Sequence, residues 1–219
     1  VLFDLDGTIA DTIPLLLASM RAAYAHVGGR TPDDAAWLQG MGRPLRSQLR
    51  EFEGDDAERV EALAVYYRDW QYANLEAYVK PFADIRVLFD ALQARGHPVA
   101  VVTGKGTPMS IATLELVGLM DAVPLLVTAD HTARHKPDPD PLLHACERLG
   151  VAPARGLYVG DAPNDIRAAR AAGMTDVWVT WGPFTLETLR PEVPSHIVYT
   201  PADIVELIDE LDARERAAA

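Results

Sequence analysis

The chain has 219 residues, enough to bury a full core as one large domain or as a core plus an insert. Hydrophobic residues make up 49% and charged residues 24%, which excludes a disordered composition. A formal net charge of -12, with no Lys/Arg run, argues against nucleic acid as partner. It leaves a small phosphorylated metabolite open, because a metal and local cations can outweigh the overall field.

Residues 1–3 are a short apolar run that predicts a buried strand leading into Asp4-Leu5-Asp6-Gly7-Thr8. Alternation puts Asp4 and Asp6 on one side of that strand and Phe3 and Leu5 on the other. Two carboxylates so close repel, and a hard divalent cation is their natural compensator. The chain opens in a strand without a methionine, so a few preceding residues are expected beyond it. Residues 9–24 are helical in pattern, with Ile13, Leu16, Leu17, Met20 and Tyr24 at spacings of three and four and Pro14 near the start. Thr31-Pro32-Asp33-Asp34 predicts the cap of a short helix that ends before Gly40-Met41-Gly42. Helices follow over 43–52 and 55–78, broken at Gly54, so no strand is expected between 9 and 78.

Beyond residue 81 helix and strand alternate. Helices are predicted over 83–95, 107–117, 140–149, 166–172 and 201–211, and the tail from 215 is expected to fray. Strands are predicted over 99–102, 125–127, 157–159, 176–180 and 197–199. The pattern is α/β: a Rossmann-like parallel sheet with helices on both faces and an all-helical cap inserted after the first strand. The corresponding division is a core of 1–8 and 79–219 and a cap of 9–78. The single cysteine, Cys146, falls inside a helical pattern as a core side chain and excludes an internal disulfide, which suits a reducing, cytoplasmic setting. No apolar run reaches membrane-spanning length and no basic-then-apolar leader is seen, so no membrane partner is expected.

Ligands of open parallel sheets sit beyond the carboxyl ends of the strands. Those ends bring Asp4, Asp6, Thr103, Gly104, Lys105, Asp161, Asn164 and Asp165 to one edge, and the loop before 140 adds Lys136. Asp4, Asp6, Asp161 and Asp165 form a hard-cation set, and Thr103, Gly104 and Lys136 can hold a tetrahedral anion. The combination fits phosphoryl transfer. No serine or cysteine stands in the cluster, so Asp4 or Asp6 must attack and carry an aspartyl-phosphate. Lys105 is read as a surface side chain because Lys136 fills the cationic role, and Thr103 could also cap the helix that follows it.

Asp4-Leu5-Asp6-Gly7-Thr8 resembles the first motif of the haloacid dehalogenase-like hydrolases. Thr103 after an apolar strand resembles the second, Lys136-Pro137 the third and Gly160-Asp161-x-x-x-Asp165 the fourth. Their order matches, and the resemblance covers essentially the whole chain. It implies Asp4 as nucleophile and Asp6 as general acid and base. It implies magnesium (Mg2+) bound by the Asp4 carboxylate, the Asp6 backbone carbonyl and Asp161, with Asp165 close by. Thr103 and Lys136 would bind the phosphoryl oxygens, and the helical insert would open and close over the substrate.

The phosphoglycolate phosphatase-like branch is the most similar, through 80–92, 151–180 and Trp181-Gly182. Two departures stand out: Gly104, where many members carry Asn, loses a side chain that could meet substrate. Ala162, where Ser or Thr is frequent, weakens the surroundings of the metal. In the cap, Arg43 is the first candidate to meet substrate and Arg46 the second, while Trp37, Tyr67 and Trp70 read as packing. The expected activity is a magnesium-dependent phosphomonoesterase acting on a small organic phosphate, with 2-phosphoglycolate the branch's suggestion. A sugar-phosphate mutase and an inorganic pyrophosphatase on the same core are the alternatives. A phosphonate hydrolase is set aside because 9–78 contains no lysine for a Schiff base. A monomer or homodimer is expected.

Overall fold

The computed structural model describes residues 1–218. Its main sheet has six parallel strands: β1 (Leu2–Phe3), β4 (Ala100–Val102), β5 (Leu126–Val127), β6 (Leu157–Gly160), β7 (Thr175–Val179) and β8 (His196–Val198). Their order is β5-β4-β1-β6-β7-β8, so β1 lies between β4 and β6, with Leu2 opposite both Ala100 and Tyr158. The strands are short and apolar because both faces are covered. Phe3, Val101 and Val159 face α5 (Ile85–Ala94), α6 (Thr107–Leu116) and α10 (Pro201–Ala218). Leu2, Ala100 and Tyr158 face α7 (Asp140–Leu149) and α8 (Pro163–Ala171), where Cys146 is also buried. The Phe3 and Phe89 rings meet at 5.0 Å, and burying each such side chain stabilises the core by about 1.5–3 kcal/mol.

The insert holds α1 (Ile13–Val27), α2 (Asp34–Leu38), α3 (Leu45–Glu53) and α4 (Ala57–Tyr78). Asp33 caps α2 by accepting from the Ala36 N–H, and Asp56 caps α4 by accepting from Arg59. Leu16, Met20, Trp37, Leu49, Leu63 and Tyr67 form the insert's apolar centre, which continues onto Ala162, Ile166 and Trp178 of the core. The Trp37 and Tyr67 rings meet at 5.7 Å, tilted by 43°, as packing residues, and Trp70 packs on Tyr78.

The expectation that 9–78 contains no strand fails at its start. Ala10–Asp11 form β2, which pairs antiparallel with β3 (Lys80–Pro81), and the helix begins only at Ile13. Pro14 explains the delay: it has no N–H to give the Ala10 carbonyl, which accepts instead from Gly7 and Thr12. The ribbon ties the two ends of the insert together. At the other terminus α10 runs on to Ala218 where fraying was expected, a stretch of good helix formers with Glu215 paired to Arg155. Among the described residues no helix is long and apolar enough to cross a membrane.

Candidate active site

The site forms where β1, β4 and β6 end. Asp4 follows β1 directly, donates its N–H to the Val159 carbonyl at 2.9 Å and is buried. The chain then doubles back, with the Leu5 carbonyl accepting from Ile9 and Ala10. Gly7 makes the turn at φ +79°, and a Cβ there would lie 2.6 Å from Asp161 Oδ2. Only glycine therefore lets this loop close on the neighbouring carboxylate. Thr8 completes the turn by donating its hydroxyl to Asp161 Oδ1 at 2.8 Å.

Asp165 sits in the first turn of α8. Its Oδ2 accepts from the Ala162 N–H at 2.9 Å and its Oδ1 from Lys136 Nζ at 2.7 Å. Lys136 is itself buried: it donates to Asp165 and, at 2.8 Å, to the Tyr158 hydroxyl, and its charge lies 2.9 Å from Asp4 Oδ1 as an ion pair without a directed hydrogen bond. Tyr158 in turn donates to the Val102 carbonyl at 2.9 Å, which ties the lysine to β4 and β6.

Carboxylate oxygens of Asp4, Asp161 and Asp165 lie within 4.8 Å of one another. One ammonium faces three buried acids, so the cluster is short of positive charge. Burial pushes the Asp4 carboxyl up to about 7; Lys136 opposes this, while Asp165 and Asp6 add to it. Burial, then Asp165 and Asp4, also hold Asp161 well above the usual carboxylate range. For Lys136, burial works against the charge, but Asp165 and Asp4 outweigh it and hold the ammonium above its ordinary range. Asp4 Oδ1 and Asp161 Oδ2 are buried without a directed hydrogen bond. Unspent oxygen lone pairs, hard donors and excess negative charge are what a divalent cation such as magnesium requires, so the residues fit the ion.

The Asp6 side chain stands apart from this cluster. Its Oδ1 accepts from Thr12 at 2.6 Å and from Lys105 Nζ at 2.5 Å. The Lys105 side chain is only 7% exposed, which corrects its reading as a surface side chain. The loop after β4 turns its side chain inward, held by the Lys105 N–H on Thr103 Oγ1 at 3.2 Å and by its carbonyl on Ala129 N. Thr103 is buried beside the acids, and Gly106, not Thr103, caps α6.

A cleft of about 360 Å³ opens over these groups between core and insert. Asp4, Asp6, Thr103, Gly104 and Lys105 form its floor, and Arg43 lies on its wall. The Arg43 guanidinium grips Glu51 with both Nη atoms, leaving Nε without a partner among the described residues. Arg46 pairs with Glu61 on an exposed surface and does not line the cleft. Gly104 does more than omit a side chain: a Cβ there would lie 2.2 Å from the Gly42 carbonyl oxygen. The two glycines let insert and core touch backbone to backbone, and Asn164 Nδ2 adds a hydrogen bond to the Met41 carbonyl at 3.2 Å. Tyr158 is the site residue that the motif reading passes over, whereas Thr8 belongs to the first motif and Thr12 stands beside the catalytic loop. Tyr158 left a signal, a polar-tipped ring in an otherwise aliphatic strand.

A family model described as haloacid dehalogenase-like hydrolase matches residues 1–179. The "Putative pyrophosphatase PpaX" of Clostridium perfringens is 34% identical over 216 residues, 97% of this chain and 98% of that protein. A phosphoglycolate phosphatase of Xylella fastidiosa is 37% identical over 187 residues, 83% of this chain and 80% of that one. The crystal structure of a "putative haloacid dehalogenase-like hydrolase" from Bacteroides fragilis matches with a TM-score of 0.83 at 26% identity, covering 91% of this chain and 95% of that one.

Proposed function

The chain belongs to the haloacid dehalogenase-like hydrolases, and from that premise we propose that it is a magnesium-dependent phosphatase of small organic phosphate esters. The carrying observation is the buried Asp4 carboxylate at the tip of β1, beside Lys136 and two further acids, on the floor of the cleft. Asp4 attacks phosphorus, the bond from phosphorus to the leaving oxygen breaks, and the phosphoryl group rests on Asp4 as a mixed anhydride. Asp6 supplies the proton that the leaving oxygen takes up, then accepts one from the water that releases phosphate. Thr12 and Lys105 hold that carboxylate in place through Oδ1. Lys136 orients Asp4 and Asp165 together, and with Thr103 it contributes charge and a hydroxyl to the phosphoryl oxygens. A magnesium ion held by Asp4, Asp161 and Asp165 would neutralise the charge that spreads over those oxygens. The core is 1–8 with 79–219, the cap is 9–78, and the ribbon of β2 and β3 serves as their joint.

A small phosphorylated metabolite is the substrate class, with 2-phosphoglycolate the first to test. Inorganic pyrophosphate is the second reading, because Arg43 and Arg68 both line the cleft where a second phosphoryl group would extend. Assaying phosphate release from 2-phosphoglycolate, glycerol 3-phosphate, hexose 1-phosphate and pyrophosphate, with magnesium and with chelator, separates these. Release from the esters with magnesium alone supports the reading. Release from pyrophosphate only, or a rate indifferent to chelator, contradicts it.

A further inference from the structure

Gln71 lies on α4 one turn beyond Tyr67, on the helix's buried face, and is 3% exposed. It lines the cleft that holds Asp4, Asp6 and Thr103, yet its amide Nε2 has no hydrogen-bond partner among the described residues. Gln48, the other buried amide on this wall, gives its Nε2 to the Trp37 carbonyl. Arg43 Nε is a second unspent donor on the same side. Buried donors are nearly always paired, so a cleft-lining amide left open calls for a visiting acceptor. The cleft is lined by apolar Leu16, Trp37, Met41 and Met109 as well as by charged Arg68 and Asp69.

Resting on the reading of the site as a phosphate-ester hydrolase, we infer that Gln71 selects the leaving group. Its amide donates to an oxygen that the alcohol carries beyond the ester oxygen, while the alcohol's carbons lie on the apolar side chains. The preferred substrates are therefore phosphate esters of oxygenated organic alcohols, either hydroxy acids or polyols. Simple alkyl phosphates leave the donor open. Inorganic pyrophosphate carries no carbon to lie on the apolar side chains, so it forgoes those contacts whatever Arg43 and Arg68 offer its second phosphoryl group.

The test compares kcat/KM within matched pairs: glycerol 3-phosphate against propyl phosphate, and 2-phosphoglycolate against ethyl phosphate. Each pair is measured on wild type, Gln71→Leu and Gln71→Glu. A ratio taken on one preparation cancels the fraction of folded enzyme. In Gln71→Leu the preference for the oxygenated member should fall by roughly 10–100-fold, the scale of one buried hydrogen bond. Gln71→Glu separates the two classes: it repels the carboxylate of 2-phosphoglycolate but can still accept from a glycerol hydroxyl. A preference unchanged within about twofold in Gln71→Leu, or a wild type that favours the alkyl esters, overturns the assignment of Gln71. A wild type that hydrolyses none of the four esters with magnesium overturns the phosphatase reading itself.

Discussion

Replacing Gly104 by alanine adds one methyl group at the point where core and insert touch. The new Cβ would lie 2.2 Å from the Gly42 carbonyl oxygen, 2.6 Å from its carbon and 3.2 Å from Arg43 N. Ordinary contact needs roughly 3.5 Å, so the insert's loop must withdraw by about 1 Å or more. All three obstructing atoms are backbone, and no rotamer change can absorb the overlap. Gly104 is not among the residues with positive φ, so alanine brings no backbone strain of its own and the perturbation is purely steric. Withdrawal would stretch the bond from Asn164 to the Met41 carbonyl and lift Gly42 from Lys136, whose Cε would lie 3.6 Å from a Cβ there. A displacement of that size beside reacting groups costs on the order of 10²-fold in rate. Of the apolar centres only Met41, at the edge of the insert's, moves with the loop, so kcat/KM should fall by about 10–100-fold while the melting temperature stays within a few degrees of wild type. Steady-state kinetics and thermal melts on the same protein check both. A Gly104→Ala enzyme with wild-type kcat/KM would refute the argument that this closed backbone contact is the arrangement in which turnover occurs.

Two further outcomes follow from the electrostatics. With Asp4 held at about 7 against an ordinary value of 3.8, the folded metal-free protein keeps a proton that the unfolded chain releases. Its stability should therefore decline as pH rises from about 4 to about 7. Magnesium, which favours the ionised acids, should reverse the trend; thermal melts across that range, with magnesium and with chelator, give the sign, and a chelated protein that gains stability over the interval contradicts it. Lys105→Ala should lower kcat by about tenfold by loosening Asp6, while magnesium still raises the melting temperature, since Lys105 touches none of the three clustered acids. Equal kcat in variant and wild type would return Lys105 to a passive role.

The parallel sheet was legible because short apolar runs alternating with helices have few other solutions, and the motif acids fall at the ends of adjacent strands. Asp4, Asp161, Asp165 and Lys136 do come together as their positions indicated. The ribbon of β2 and β3 was not legible, because two residues are too few for any periodicity to register. Lys105 was misjudged because the direction in which a tight turn sends a side chain depends on its partners, Thr103 and Ala129, and not on its own type. Gly104 showed as a missing side chain, whereas its reason is a contact with a loop distant in sequence. Gln71 left a faint trace: it falls in phase with Val60, Ala64, Tyr67 and Leu75 on the buried face of α4, where a polar residue is out of place.

The central claim is that Asp4 carries the phosphoryl group during turnover. The direct measurement is rapid acid quenching of the enzyme with substrate and magnesium, followed by peptide mapping for a phosphoryl adduct. The account predicts the adduct on Asp4, abundant in Asp6→Asn when the substrate carries a leaving group, such as nitrophenolate, that departs without a proton, because the water that releases phosphate is then no longer activated. Steady phosphate release with no adduct at Asp4, or with the phosphoryl group on another residue, would contradict it.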